Sequence, residues 1–343
     1  MDTIRPTHYR VTLHPELSSF SFSGKIIAEF EASETVDQIT LNILELAVWQ
    51  CQVSRNGRYS PCRFSVDTEK EQLRIFLPEP MTGHIRLQIE YEGKINDRMA
   101  GFYRSRFVGD TGNEEYIAVT QFQESDARRA FPCRDNPLEK ASFDIKMVIG
   151  ENLSAISNDI ILEEKRLGDG KKMVRFRRTP KMSTYLVFFG IGLFDRITDT
   201  EDSRVAVVTL PGKTSYGFFG AIFGRKALQF CEHFFKIPYP LPKLDLIAVP
   251  DFAFGAMENW GAITFRENLL LHYPDTTSRA GEQRICEVIA HETVHQWFGN
   301  MVTPSDWKYL WLNESFATYF SYRVVDAYHP EMEIWGQFIT SHT

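Results

Sequence analysis

Across the first two hundred residues apolar side chains recur at every second position, and this alternation restricts the chain more than any other feature. Tyr9, Val11 and Leu13 alternate with polar residues, as do Ile39, Leu41 and Ile43, then Leu73, Ile75 and Leu77, then Ile85, Leu87, Ile89 and Tyr91. Successive side chains of a strand point to opposite faces, so a period of two marks strands buried on one side. Turn-forming residues lie between the runs: Ser23-Gly24, Asn56-Gly57, Pro78-Glu79-Pro80, Thr82-Gly83, Gly112-Asn113 and Gly168-Asp169-Gly170. Short strands at this spacing predict a mainly β, mostly antiparallel sandwich.

Beyond the acidic stretch Asp199-Thr200-Glu201-Asp202 the period changes, which makes that stretch the candidate boundary between a domain of residues 1–198 and one of residues 199–343. From Phe218 to Phe235 apolar residues return at helical intervals, until Ile237-Pro238-Tyr239-Pro240 stops them. Strand-like runs follow at 244–249 and 262–265, then a helix over about 279–298 and a second over 313–327, stopped by His329-Pro330. Two domains suit a length of 343 residues.

Charge removes one class of partner. With 38 Lys and Arg against 45 Asp and Glu, the net charge of -7 has the wrong sign for a phosphate-binding surface, so nucleic acid is not expected. No run approaches the roughly 20 apolar residues of a transmembrane segment. The start, Met1-Asp2-Thr3-Ile4-Arg5-Pro6, lacks the apolar core of an export signal. Cys51, Cys62, Cys133, Cys231 and Cys286 are odd in number and never spaced Cys-x-x-Cys, against both a disulfide framework and a zinc knuckle. A cytoplasmic protein is expected; nothing in the sequence speaks to its oligomeric state.

The chemistry concentrates in His291-Glu292-Thr293-Val294-His295, inside the first of the two later helices. Spacing of four sets both imidazoles on one face, one turn apart, where they can share a cation while Glu292 reaches a water on it. A helix carrying two ordinary histidines gives the same pentapeptide. Glu314, separated from His295 by eighteen residues in Trp311-Leu312-Asn313-Glu314-Ser315, argues for the cation: a carboxylate there can fold back to make a His₂Glu site with its fourth position open, the arrangement of catalytic zinc. Asn313 fits two roles equally, orienting an imidazole or capping the second helix. A third block, Phe254-Gly255-Ala256-Met257-Glu258-Asn259-Trp260-Gly261, sets two glycines around an acidic residue. That pattern suits a backbone approaching something closely, and equally a tight turn with a solvated Glu.

Together, Gly255-Ala256-Met257-Glu258-Asn259, His291-Glu292-x-x-His295 and the later Glu314 resemble the gluzincin aminopeptidases. So does Thr120-Gln121-Phe122-Gln123 followed by Asp126-Ala127-Arg128-Arg129-Ala130-Phe131-Pro132-Cys133, which is similar to the amino-terminal signature of that family. The resemblance implies a saddle-like β domain followed by an α+β thermolysin-like catalytic domain. It implies one zinc per chain on His291, His295 and Glu314, Glu292 as general base, and Glu258 holding the α-ammonium of a peptide with a free amino terminus. Gln121 and Gln123 would help bind that end, with Met257 and Asn259 lining the same segment and the backbone at Gly255 and Ala256 pairing with the peptide as an added strand. Amino-terminal residues would be removed by metal-activated water.

Two features qualify this expectation. Most members carry Glu where this chain has Gln123, which resembles the leukotriene hydrolase branch and admits an epoxide hydrolase-like activity as an alternative; a catalytically silent scaffold of the same fold is another. Family members also supply an oxyanion-stabilising tyrosine from a later helical region, and Thr343 comes only 29 residues after Glu314, so the catalytic domain is expected to be incomplete. Tyr309, Tyr319 and Tyr322 are expected in the core rather than in that role. Phe316, Tyr319, Phe320 and Val324 are expected to form an apolar helix face with nothing after it to cover it.

Overall fold

The computed structural model describes residues 3–109 and 112–342. Thirteen strands come first: β1 (Ile4–Glu16), β2 (Ser21–Asn42), β3 (Ala47–Arg55), β4 (Arg58–Pro61), β5 (Arg63–Asp67), β6 (Gln72–Lys94), β7 (Gly101–Val108), β8 (Glu114–Gln121), β9 (Ser142–Gly150), β10 (Ser154–Ser157), β11 (Ile161–Gly168), β12 (Lys171–Phe176) and β13 (Phe189–Gly192). Five more, β14 (Asp195–Thr198), β15 (Val205–Thr209), β16 (Leu244–Val249), β17 (Ala256–Met257) and β18 (Ala262–Arg266), are interleaved with helices α1 (Phe218–Phe235) and, later, α2 (Arg279–His295), α3 (Leu310–Tyr328) and α4 (Ile334–His342). The chain is thus a large β domain followed by a partly helical one, and it divides into two compact units: residues 1–105 with 116–192, and residues 106–115 with 193–343.

In the first unit a nine-stranded sheet runs β11-β12-β9-β1-β2-β6-β3-β4, with β5 also paired to β6, and a four-stranded sheet runs β10-β13-β8-β7. The pairs of the nine-stranded sheet are antiparallel except β1 with β9. The alternation reads directly as burial: Tyr9, Val11, Leu13, Leu73, Ile75, Ile85, Leu87, Ile89 and Tyr91 are fully buried, with Ile39, Leu41, Ile43 and Leu77 nearly so. Each such side chain contributes about 1.5–3 kcal/mol by leaving water.

Three of the expected turns are not turns. Ser23-Gly24 lies inside β2, and Pro78-Glu79-Pro80 and Thr82-Gly83 lie inside the 23-residue β6. Gly24 is required by a close approach: it pairs with Tyr91, and a β-carbon there would stand 2.3 Å from the tyrosine ring. The sequence marks the missing side chain but not its cause. Asn56-Gly57 does turn β3 into β4, both residues at positive φ.

The second unit holds a mixed sheet in the order β14-β15-β16-β18-β17, parallel across β15, β16 and β18 and closed by the antiparallel edge strand β17. Asp199-Thr200-Glu201-Asp202 is the ordered loop from β14 to β15: Asp199 Oδ1 accepts from the amides of Glu201 and Asp202 at 2.9 Å, and Arg225 pairs with its carboxylate at 3.0 Å. Helix α1 has its expected bounds, whereas α2 ends at His295 rather than at 298 and α3 begins at Leu310 rather than at 313.

The apolar face expected on α3 is only partly open. Phe316 and Tyr319 are exposed, but Val324 is fully buried, and Phe320 stacks on Phe298 and meets Phe234 and Phe235 edge-on. Helix α4 also brings Trp335 to 5.9 Å from Tyr319 and 5.7 Å from Tyr322. Of the three tyrosines expected in the core, Tyr322 is buried while Tyr309 and Tyr319 are exposed, because the short turn Trp307–Tyr309 and the outer side of α3 carry them. All five cysteines are buried and free.

Candidate active site

Helix α2 starts where Ser278 Oγ accepts from the Gly281 amide at 3.2 Å, and it carries His291, Glu292 and His295 in its last turns. It stops there because the chain reverses at Gly299, whose φ of +132° suits glycine. A β-carbon at Gly299 would stand 3.2 Å from His295 Nδ1. The reversal orients that ligand: the Phe298 carbonyl lies 2.9 Å from His295 Nδ1, which fixes Nδ1 as the protonated nitrogen and leaves Nε2 free. At His295 a backbone carbonyl therefore fills the orienting role considered for Asn313. The capping role is excluded, since Asn313 lies inside α3 rather than at its cap.

Glu314 arrives on α3, held against the end of α2 by Phe316 stacked on Phe298 with centroids 4.8 Å apart and planes 14° apart. Its Oε2 lies 3.2 Å from His291 Nε2 and 3.7 Å from His295 Nε2, and the two Nε2 atoms lie 3.0 Å apart. Three donors on a tetrahedral cation with bonds near 2.0–2.1 Å stand about 3.3 Å from one another. The triangle present matches that face, and two imidazoles with one carboxylate are the donors zinc prefers. These residues fit the metal.

Glu258, Glu292 and His295 form a second cluster, their ligating atoms also within 4.8 Å of one another. Glu258 is 3% exposed and Glu292 6%, and one oxygen of each, Oε1 and Oε2 respectively, has no hydrogen-bond partner among the described residues. Burial pushes both carboxyl pKa values up, that of Glu292 strongly. At Glu314 burial acts in the same direction but is outweighed by hydrogen bonds and charge from His291 and His295, which hold the carboxyl well below its usual range. For His295, burial opposes protonation and the surrounding Glu258, Glu314 and Glu292 overcome it, raising the pKa to about 10. His291 moves the other way, lowered first by burial.

Gly255 and Ala256 are half-buried, while Met257, Glu258 and Asn259 are buried. Ala256 and Met257 are strand β17, paired on one side with Phe265 and Thr264 and forming the edge of the sheet. Asn259 turns inward, its Nδ2 donating to Thr264 Oγ1 at 3.2 Å. In the first unit, Gln121 ends β8 with both polar side-chain atoms buried and unpartnered, and Gln123 follows half-buried.

Sequence reasoning passed over Gln296 and Asn300. Both are fully buried, and both donate to the backbone oxygen of Glu258, at 3.2 and 2.9 Å. The available signal was an uncharged polar side chain next to His295 and beside Trp297-Phe298, in a stretch otherwise apolar.

Residues 5–186 match the peptidase M1 N-terminal domain and residues 222–343 the peptidase family M1 domain. Aminopeptidase M1-D of Oryza sativa subsp. japonica is 43% identical over 98% of this chain and 39% of its own length. Puromycin-sensitive aminopeptidase of Caenorhabditis elegans is 41% identical over 97% of this chain and 36% of its own. Aminopeptidase 2, mitochondrial, of Saccharomyces cerevisiae is 38% identical over 99% of this chain and 36% of its own. The chain spans under two fifths of the length of these relatives.

Proposed function

The chain belongs to peptidase family M1, which is zinc-dependent, and on that premise we propose that it is a zinc metalloaminopeptidase acting on peptides with a free amino terminus. Residues 1–198 are assigned as its amino-terminal domain and 199–343 as the metal-binding part of its catalytic domain. His291, His295 and Glu314 would hold one zinc. When bound, that ion supplies a Lewis acid that polarises the scissile carbonyl and acidifies a water.

The chain's own residues carry the rest. Glu292, with an open oxygen beside His295, takes the proton of the attacking water and passes it to the leaving amine. Glu258 accepts charge-assisted hydrogen bonds from the substrate ammonium, which lets the site count one residue from the amino terminus. The open edge of β17 offers the Gly255 and Ala256 backbone to the peptide as a neighbouring strand, with Met257 and Asn259 packed beneath. In the first unit, Gln121, buried with its amide unpartnered, and Gln123 are assigned as further substrate-binding residues. Five buried, reduced cysteines suit a cytoplasmic location, and among the described residues no helix is long and apolar enough to cross a membrane.

The observation that carries the proposal is the pair Glu258 and Glu292, two buried carboxylates each keeping an oxygen free beside a histidine. The test compares binding of leucine p-nitroanilide and of its N-acetyl derivative to the zinc-loaded chain. Tighter binding of the free amine is expected; equal affinities would remove Glu258 as an ammonium anchor and with it the exopeptidase reading.

A further inference from the structure

The side-chain amide of Gln296 lies between the metal helix and the segment carrying Glu258. Its Nε2 donates to the backbone oxygens of Glu258 at 3.2 Å and of Glu292 at 3.1 Å. Its Oε1 accepts from the Gly261 amide at 3.3 Å and from the Tyr239 hydroxyl at 3.4 Å. An amide has two donor hydrogens and two acceptor lone pairs, and all four are used here. One fully buried side chain thus ties the backbone of the base, Glu292, to both ends of residues 258–261. Two further contacts anchor that segment: Asn300 Nδ2 donates to the Glu258 carbonyl at 2.9 Å, and Lys243 Nζ donates to the Gly261 carbonyl at 2.7 Å.

The Glu258 carboxylate has an oxygen with no partner among the described residues, while the backbone that carries it is held by Gln296 and Asn300. We propose that Gln296 is a positioning residue that sets the spacing between the Glu258 carboxylate and the cation site, and thereby fixes how strongly the site favours a ligand bearing an α-ammonium group next to a metal-chelating group. This rests on the role given above to Glu258. The choice of glutamine follows from the contacts. Asparagine is one methylene too short to span them, glutamate would set an oxygen against two carbonyl oxygens, and an apolar side chain would leave the Gly261 amide unpaired in the interior.

The experiment measures a ratio of affinities on the zinc-loaded 343-residue chain by isothermal titration. Its probes are leucine hydroxamate and 4-methylpentanohydroxamate, the same chelator without the amino group. Wild type is expected to prefer the amino ligand. Gln296→Met, folded and carrying as much zinc as wild type, is expected to bind the des-amino ligand within about twofold of wild type while losing roughly tenfold for the amino ligand, the size of one misplaced charge-assisted contact. In a Glu258→Gln background the same substitution is expected to leave the ratio unchanged, which a merely structural role would not produce. An unaltered ratio in the loaded Gln296→Met chain overturns the proposal, as does a loss that persists without Glu258. Should that variant not fold, Tyr239→Phe removes one of the two donors to Gln296 Oε1 without opening a cavity; a fall of about two- to threefold in the ratio is expected, and no fall overturns the proposal. A wild-type ratio of one takes down the assignment of Glu258 itself, and this inference with it.

Discussion

Asp135 in the first unit and Glu258 and Glu292 in the second are all buried carboxylates, and their surroundings differ in kind. Asp135 Oδ1 accepts from the Thr184 hydroxyl at 2.7 Å, and its Oδ2 from Arg128 Nε at 3.0 Å; Arg128 reaches on to Glu71 at 2.7 Å. Glu258 and Glu292 each leave an oxygen without a partner in the interior. Removal of either side chain of a saturated pair exposes a buried charge, so such a pair is architecture. A buried carboxylate with an open oxygen already costs the fold something, and that cost is recovered only when an ammonium group, a proton or a water arrives. The Asp126-to-Cys133 signature therefore reports how the first unit is built, and the glutamates report what the second unit does.

The strongest way to break this comparison is to remove a donor from the cation site. His295→Ala is expected to abolish zinc binding, read by elemental analysis of the dialysed protein; equal zinc in variant and wild type would dissolve the site. Next is Glu292→Gln, expected to keep zinc and an unfolding midpoint at or above that of wild type; in an enzyme with the whole catalytic domain, turnover of an aminoacyl reporter is expected to fall about 10²- to 10⁴-fold. A marked loss of stability there would place Glu292 with Asp135 among the structural carboxylates. Arg128→Ala should show the opposite, losing about 3–5 kcal/mol in urea unfolding by stranding Asp135.

A pH titration sharpens the structural half. At Asp144 burial disfavours the charge, but His8 at 3.0 Å and Arg178 at 2.8 Å more than compensate, holding its carboxyl well below the usual range. The unfolded chain then binds the proton first, so the stability Asp144 contributes is present above about pH 4 and is lost as pH falls toward the folded value. Urea midpoints of wild type and Asp144→Asn are expected to converge below about pH 4 and to separate above it. The smallest effect is expected at Gln123→Glu, which adds an anion and should tighten binding of free-amine peptides by about 1–3 kcal/mol. An unchanged KM would place Gln123 outside the ammonium anchor.

Legibility in the sequence followed the range of the interaction. The strands around Tyr9, Leu73 and Ile85, the bounds of α1 and the shared face of His291 and His295 were all readable, because they express periods of two and 3.6 that the backbone imposes within a few residues. Gly24 and the prolines of β6 were misread as turns, since what explains Gly24 is the ring of Tyr91, 67 positions away and brought there only by strand register. The end of α2 was misplaced by three residues because a left-handed glycine and a carbonyl contact to His295, not propensity, terminate it. The sequence by itself determined which residue types are available to hold a cation and at what helical spacing. Only the tertiary structure decided that Glu314 closes the triangle, that Glu258 and Glu292 keep open oxygens beside His295, and that Gln296 ties their backbones together. Those are distances between segments far apart in the chain, set by the packing of α3 on α2 and of residues 258–261 beneath them, and no local pattern encodes such a distance.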